Sequence, residues 1–186
     1  MSVKCPVIVG LAAVVLCIVP AAAAGGHSTS STGLEQQVRA ATSTFRDVDN
    51  AIAAGYRSLG ACVSGPEDGA MGVHYAGPFT NDGVLRADQP DLLLYEVHSG
   101  RLHLLGVEYL QEVAGWTGPP PVLAGQQFQF VDAPNRYGLG AFYELHVWAW
   151  KDNPKGTFAD WNPSVSCDEY TGDQGTNHQH APGDGP

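Results

Sequence analysis

The sequence is short of positive charge: 9 Lys and Arg stand against 19 Asp and Glu, a formal net charge of −10. It therefore lacks the basic footprint that nucleic acid or an anionic lipid surface selects. No apolar run reaches the roughly 20 residues needed to span a bilayer. There is no GxSxG elbow, no phosphate-binding P-loop, no GxGxxG after a strand-like run and no CxxC. Serine hydrolysis, nucleotide-phosphate binding and dithiol redox chemistry lose their usual sequence carriers. HExxH is also missing, so a metal site would have to be assembled from residues scattered along the chain.

The first clear feature that is present is an export signal. Lys4 supplies a basic start, residues 6–19 form an uncharged apolar run, and Pro20 breaks it before Ala21–Ala24. Residues 1–24 are expected to be a signal peptide cleaved near Ala24–Gly25, which places the protein in the periplasm or outside the cell. After cleavage no membrane insertion is expected. Loss of Lys4 takes the formal net charge from −10 to −11. That balance suits a metal ion or a small ligand and no nucleic acid.

Cleavage also removes Cys5 and Cys17 and leaves Cys62 and Cys167. Two cysteines in an oxidising compartment most simply pair. On the chain-entropy model, a bridge closing about 105 residues stabilises by about 4–5 kcal/mol. Free catalytic thiols are the alternative.

Residues 25–33 read as a flexible lead-in, 34–170 as a single domain and 171–186 as a disordered tail. Leu34, Val38, Ala41, Phe45, Val48 and Ile52 recur at helical spacing, with Thr32 or Ser31 as cap and Gly55 as stop. A helix is therefore expected over 34–54. Short apolar runs between turn residues then predict strands at 72–75, 92–98, 102–109, 127–131 and 142–150. Ser99-Gly100 predicts a hairpin between the second and third of these. The fold class is α+β: one N-terminal helix followed by a curved antiparallel β-sheet or small β-barrel.

Chemistry concentrates on one face of residues 142–150. Tyr143, Leu145, Val147 and Ala149 make an ordinary core face. Phe142, Glu144, His146, Trp148 and Trp150 make the other, either a pocket wall or a second covered face. Glu108 lies in an apolar strand, where a carboxylate is costly unless paired or bound to a cation. His74 lies in another apolar run, and Glu96 and His98 share a strand face. His74, Glu96, Glu108 and His146 are therefore the candidate metal ligands, a set suited to Zn, Mn or Fe(II). Glu108, Glu144 and His146 are the candidates for Glu–His acid–base catalysis on a small substrate, should the domain be an enzyme. A structural surface protein would instead leave this polar face solvated. The loop 151–163 is expected to be held down by Phe158 and Trp161. His27, His178 and His180 lie in polar segments and are given no role.

These segments together resemble a pattern found in exported bacterial proteins. It consists of Met-Gly-x-His-Tyr at 71–75, Leu-Tyr-Glu at 94–96, Gly-Val-Glu-Tyr at 106–109, Leu-His-x-Trp-x-Trp at 145–150 and Asn-Pro-x-Gly-x-Phe-x-x-Trp-Asn-Pro at 153–163. The likeness runs over about 40–167. It implies an exported bacterial domain and carries no catalytic role.

Overall fold

The computed structural model describes residues 33–65, 67–78, 82–135 and 137–175. The signal segment, most of the lead-in, and His27, His178 and His180 lie outside them. The helical stripe forms, but as α1 (Gly33–Thr42), a 3-10 turn (Ser43–Arg46) and α2 (Val48–Ala53) rather than one helix. Local hydroxyl and carboxylate groups explain the break. Thr42 and Ser43 donate back to the carbonyls of Val38 and Ala40, and Asp47 accepts from Asp49 N–H as a new N-cap. Gly55, at φ +102°, follows the last helical residues and lets the chain turn away.

Seven strands form the main sheet: β1 (Arg57–Gly65), β2 (Gly69–Ala76), β3 (Leu92–His98), β4 (Arg101–Glu112), β7 (Gln129–Val131), β8 (Phe142–Val147) and β9 (Asp173–Gly175). β5 (Val122–Leu123) and β6 (Gln126–Gln127) make a separate small hairpin directly after three consecutive prolines, Pro119 to Pro121. The order in the sheet is β7-β8-β4-β3-β2-β1-β9. Six strands pair antiparallel and curl into a half-barrel, while β9 adds in parallel to β1. The sheet is thus curved and open, and the end strands β7 and β9 do not pair with each other. Ser99 and Gly100 both take positive φ and close the β3–β4 hairpin, as a type I′ turn requires.

Further differences from the sequence reading have local causes. The strand expected over 127–131 breaks at Phe128, whose N–H goes to Pro121 O, leaving β6 and β7 on either side. β1 was not expected, because Arg57–Gly65 carries Ser, Gly and Cys in place of a clear apolar alternation. β8 ends at Val147 rather than Trp150. There the backbone leaves the ladder: Trp148 N–H goes to Thr157 O, and Trp150 N–H to Leu105 O. β9 falls within the segment whose composition reads as a tail.

The helices cover one face of the sheet. Leu34 and Val38 pack there with Val73, Tyr95, Tyr109, Leu145 and Val147. The tyrosines reach through this core to half-buried carbonyls, Tyr95 to Phe45 O at 2.6 Å and Tyr109 to Ala87 O at 2.7 Å. Burying a phenol beside an apolar core is tolerable when its hydroxyl keeps a partner. A disulfide joins Cys62 to Cys167, with Cα atoms 5.8 Å apart.

The opposite face carries His74, Glu108 and His146, and two glycines nearby sit hard against backbone carbonyls. Gly72 and Gly106 each stand two residues before one of these side chains. A Cβ on Gly72 would strike Tyr95 O, and one on Gly106 would strike Val147 O. Gly72 also holds φ +90°. Gly72→Ala should therefore destabilise the fold by about 2 kcal/mol or more, through backbone strain and collision together. Chemical denaturation of the two proteins measures it, and an unchanged midpoint would contradict the close strand approach.

Candidate metal centre

Register places Glu108 opposite Leu92 on one side and His146 on the other. His74 pairs with Leu94, one row along, on β2. β2 and β4 are separated by β3, so their backbones stand roughly 10 Å apart. The curl of the sheet lets His74 and Glu108 meet over that gap. His74 Nε2 lies 3.4 Å from Glu108 Oε2, and His146 Nε2 lies 3.7 Å from the same oxygen. The donor atoms of all three residues fall within 4.8 Å of one another. Glu108 and His146 are 0% exposed and His74 is 1% exposed.

That geometry suits a cation. Two ligands at 2.0–2.1 Å from a tetrahedral Zn ion stand about 3.3–3.4 Å apart. The two His–Glu separations are close to that edge and longer than a strong charge-assisted hydrogen bond. Two imidazole nitrogens and a carboxylate oxygen converge on one region, a donor set that Zn, Mn or Fe(II) accepts.

A second layer surrounds His146. Its Nδ1 lies 3.4 Å from Asp160 Oδ1, and Gln129 donates to that oxygen at 2.8 Å. Metal-binding imidazoles commonly hand their other N–H to a carboxylate, which fixes ring orientation and raises basicity. Glu144, 3% exposed, forms a further group with His146 and Asp160. Trp148 stacks on His146 with ring centroids 6.4 Å apart. Full burial works to lower the His146 pKa. The carboxylates of Glu108, Asp160 and Glu144 overcome it and push the pKa up to about 9.

The other expected residues go elsewhere. Glu96 does not join the cluster: it pairs with Lys151 at 3.2 Å and accepts Ser166 N–H at 3.1 Å. The register explains this, since Glu96 lies four residues along β3 from the Leu92 row, about 13 Å away. His98 pairs with Glu169 at the surface. Trp150 leaves the face with the end of β8 and donates to Thr42 on α1. Trp161 does hold the loop down, packing on Val63 and Met71, and Phe158 packs against the main core. Asp160 and Tyr137 were not singled out in the sequence. Both sit in loops, where the only signals are turn residues, Asn162-Pro163 after Asp160 and Pro134-Asn135 before Tyr137.

A cavity of about 530 Å³ opens on the same face. His74 and Tyr137 stand in its wall, with the Tyr137 hydroxyl 3.4 Å from His74 Nε2. Glu108, Glu144 and His146 do not line it. An acid–base pair needs one imidazole nitrogen held by a carboxylate and the other turned to substrate. Here the same nitrogen of His74 faces both Glu108 and Tyr137, which favours coordination over relay. The solvated polar face of a purely structural protein is not seen either, because the three residues are buried. Comparison with protein-family models, curated proteins and solved structures finds no match.

Proposed function

We propose that the chain is an exported domain that binds one divalent transition metal through His74, Glu108 and His146. The convergence of both Nε2 atoms on one buried Glu108 oxygen carries this reading. The disulfide fits an oxidising compartment. No helix among the described residues is long and apolar enough to cross a membrane. Three protein ligands leave a fourth position for water or a ligand, as in sites where the ion acts as a Lewis acid.

Tag-free protein prepared without chelator should contain about one equivalent of Zn, Mn or Fe by elemental analysis. His74→Ala and His146→Ala should each lose it. Substoichiometric metal together with no melting shift on adding any of these ions would overturn the reading. Asp160→Asn keeps the side-chain shape but weakens the acceptor for His146 Nδ1. It should lower metal affinity about 10–100-fold in competition titrations of the folded protein, and it should also lower the melting temperature of the metal-free protein, because Asp160 is one of the carboxylates that hold the His146 proton. Equal affinity would mean that Asp160 does not orient the ring.

A further inference from the structure

The cavity beside the cluster is a feature that metal binding alone does not account for. At about 530 Å³ it falls in the range of small-molecule sites. Its wall is mostly apolar: Ala61 and Val63 from β1, Ala76 from β2, Leu92 from β3, Leu110 from β4 and Phe142 from β8. Two further lining residues, Leu59 and Leu139, are 51% and 43% exposed. Large apolar side chains left in water at the rim of an apolar cavity are a recurrent mark of ligand entry. The polar groups in the wall are few: His74, Tyr137, Asp91 and Glu112. Asp91 already accepts Leu110 N–H at 2.8 Å through one oxygen. Both carboxyl side chains are acceptors when ionised, and no Lys or Arg among the described residues lines the space.

From these observations we infer that the cavity binds a small, largely apolar molecule carrying a hydrogen-bond donor, a hydroxyl or amine, and disfavours an anionic one. Its apolar body fills the space between β1 and β8, and its donor reaches the acidic or phenolic groups of the wall. The site does not depend on a bound metal, although His74 is common to both.

The test uses two probes that share one skeleton. N-phenyl-1-naphthylamine is apolar, uncharged and carries a single N–H; 8-anilino-1-naphthalenesulfonate adds a sulfonate to it. Both are titrated by fluorescence into chelator-treated protein, so the outcome is separate from that of metal binding. The neutral probe should bind saturably at one site, and the sulfonate at least about tenfold more weakly, the effect of an unpaired charge beside carboxylates. Ala76→Phe fills the cavity and Leu139→Asp alters its exposed rim without touching the core. Each should weaken the neutral probe by about tenfold or more, a change of one 1.4 kcal/mol step. If Ala76→Phe lowers the melting temperature sharply, Leu139→Asp decides. Absence of saturable binding, or binding unaffected in a folded variant, would overturn the site. Equal affinity for the two probes would overturn the ligand class.

Discussion

Replacing Cys62 and Cys167 together by serine is expected to lower the melting temperature by about 15 °C. The bridge spans 105 residues, and loop closure of that length stabilises by about 5 kcal/mol on the chain-entropy model. A domain of this size shifts about 2–4 °C per kcal/mol. The bridge also has a local task. Cys62 lies on β1, and Cys167 ends the segment that brings Asp160 and Trp161 across the cluster face. That segment has other ties, including the Ala70–Asn162 bridge and Trp148 N–H to Thr157 O. The native contacts should therefore survive in the serine variant at low temperature, with a lower midpoint. Thermal melts of the two oxidised proteins measure the loss. A shift below about 3 °C, about one kcal/mol at this size, would show that the unfolded chain is already compact enough to make the bridge redundant.

How much of this was legible in the sequence depends on how far apart the interacting residues lie. Strand and turn signals are local, so β2, β3, β4 and the β3–β4 hairpin followed from apolar runs and Ser99-Gly100. The cysteine pair followed from counting. Glu108 was flagged by a carboxylate in an apolar run, which local pattern shows well. Register is not local. Alternation alone does not say which row of β3 faces Glu108, so Glu96 reads as a partner although it stands about 13 Å along the strand. Asp160 comes from a loop that returns over the sheet only because Asn162, Trp161 and the disulfide hold it there. Tyr137 likewise reaches His74 from a loop. Their positions depend on contacts between distant segments, which periodicity does not encode. The end of β8 shows a third kind of miss. Alternation continues through Trp150, but Leu105 O accepts from both Trp150 and Lys151 and pulls the chain out of the ladder.

Raising the pH from 6.5 to about 9.5 should destabilise the metal-free protein by about 3 kcal/mol through His146. The sign follows from its pKa, which lies at about 9 in the fold and 6.5 as a free imidazole. The folded state holds the proton more tightly, so its contribution is complete below pH 6.5 and is lost as the pH climbs through 9. The gap between the two values, at 1.36 kcal/mol per unit, sets the size at about 3 kcal/mol. A bound metal removes the trend. Nε2 must shed its proton before it can coordinate, so below pH 9 each unit of acid should cost about tenfold in metal affinity for one displaced proton. The same pH rise that weakens the empty protein should therefore leave the loaded one nearly unchanged through His146, because neither the metal-bound ring nor the unfolded ring holds that proton well above pH 6.5. Melts at both pH values, with chelator and with one equivalent of Zn, separate these effects. His146→Gln supplies the baseline, because it removes the titrating ring and leaves the other groups that ionise near pH 9. In that variant the chelator-treated melting temperature should fall about 10 °C less over the same interval. Equal falls in variant and wild type would place the proton elsewhere than on His146. The three carboxylates packed around one imidazole would then have to be neutralised by some other means.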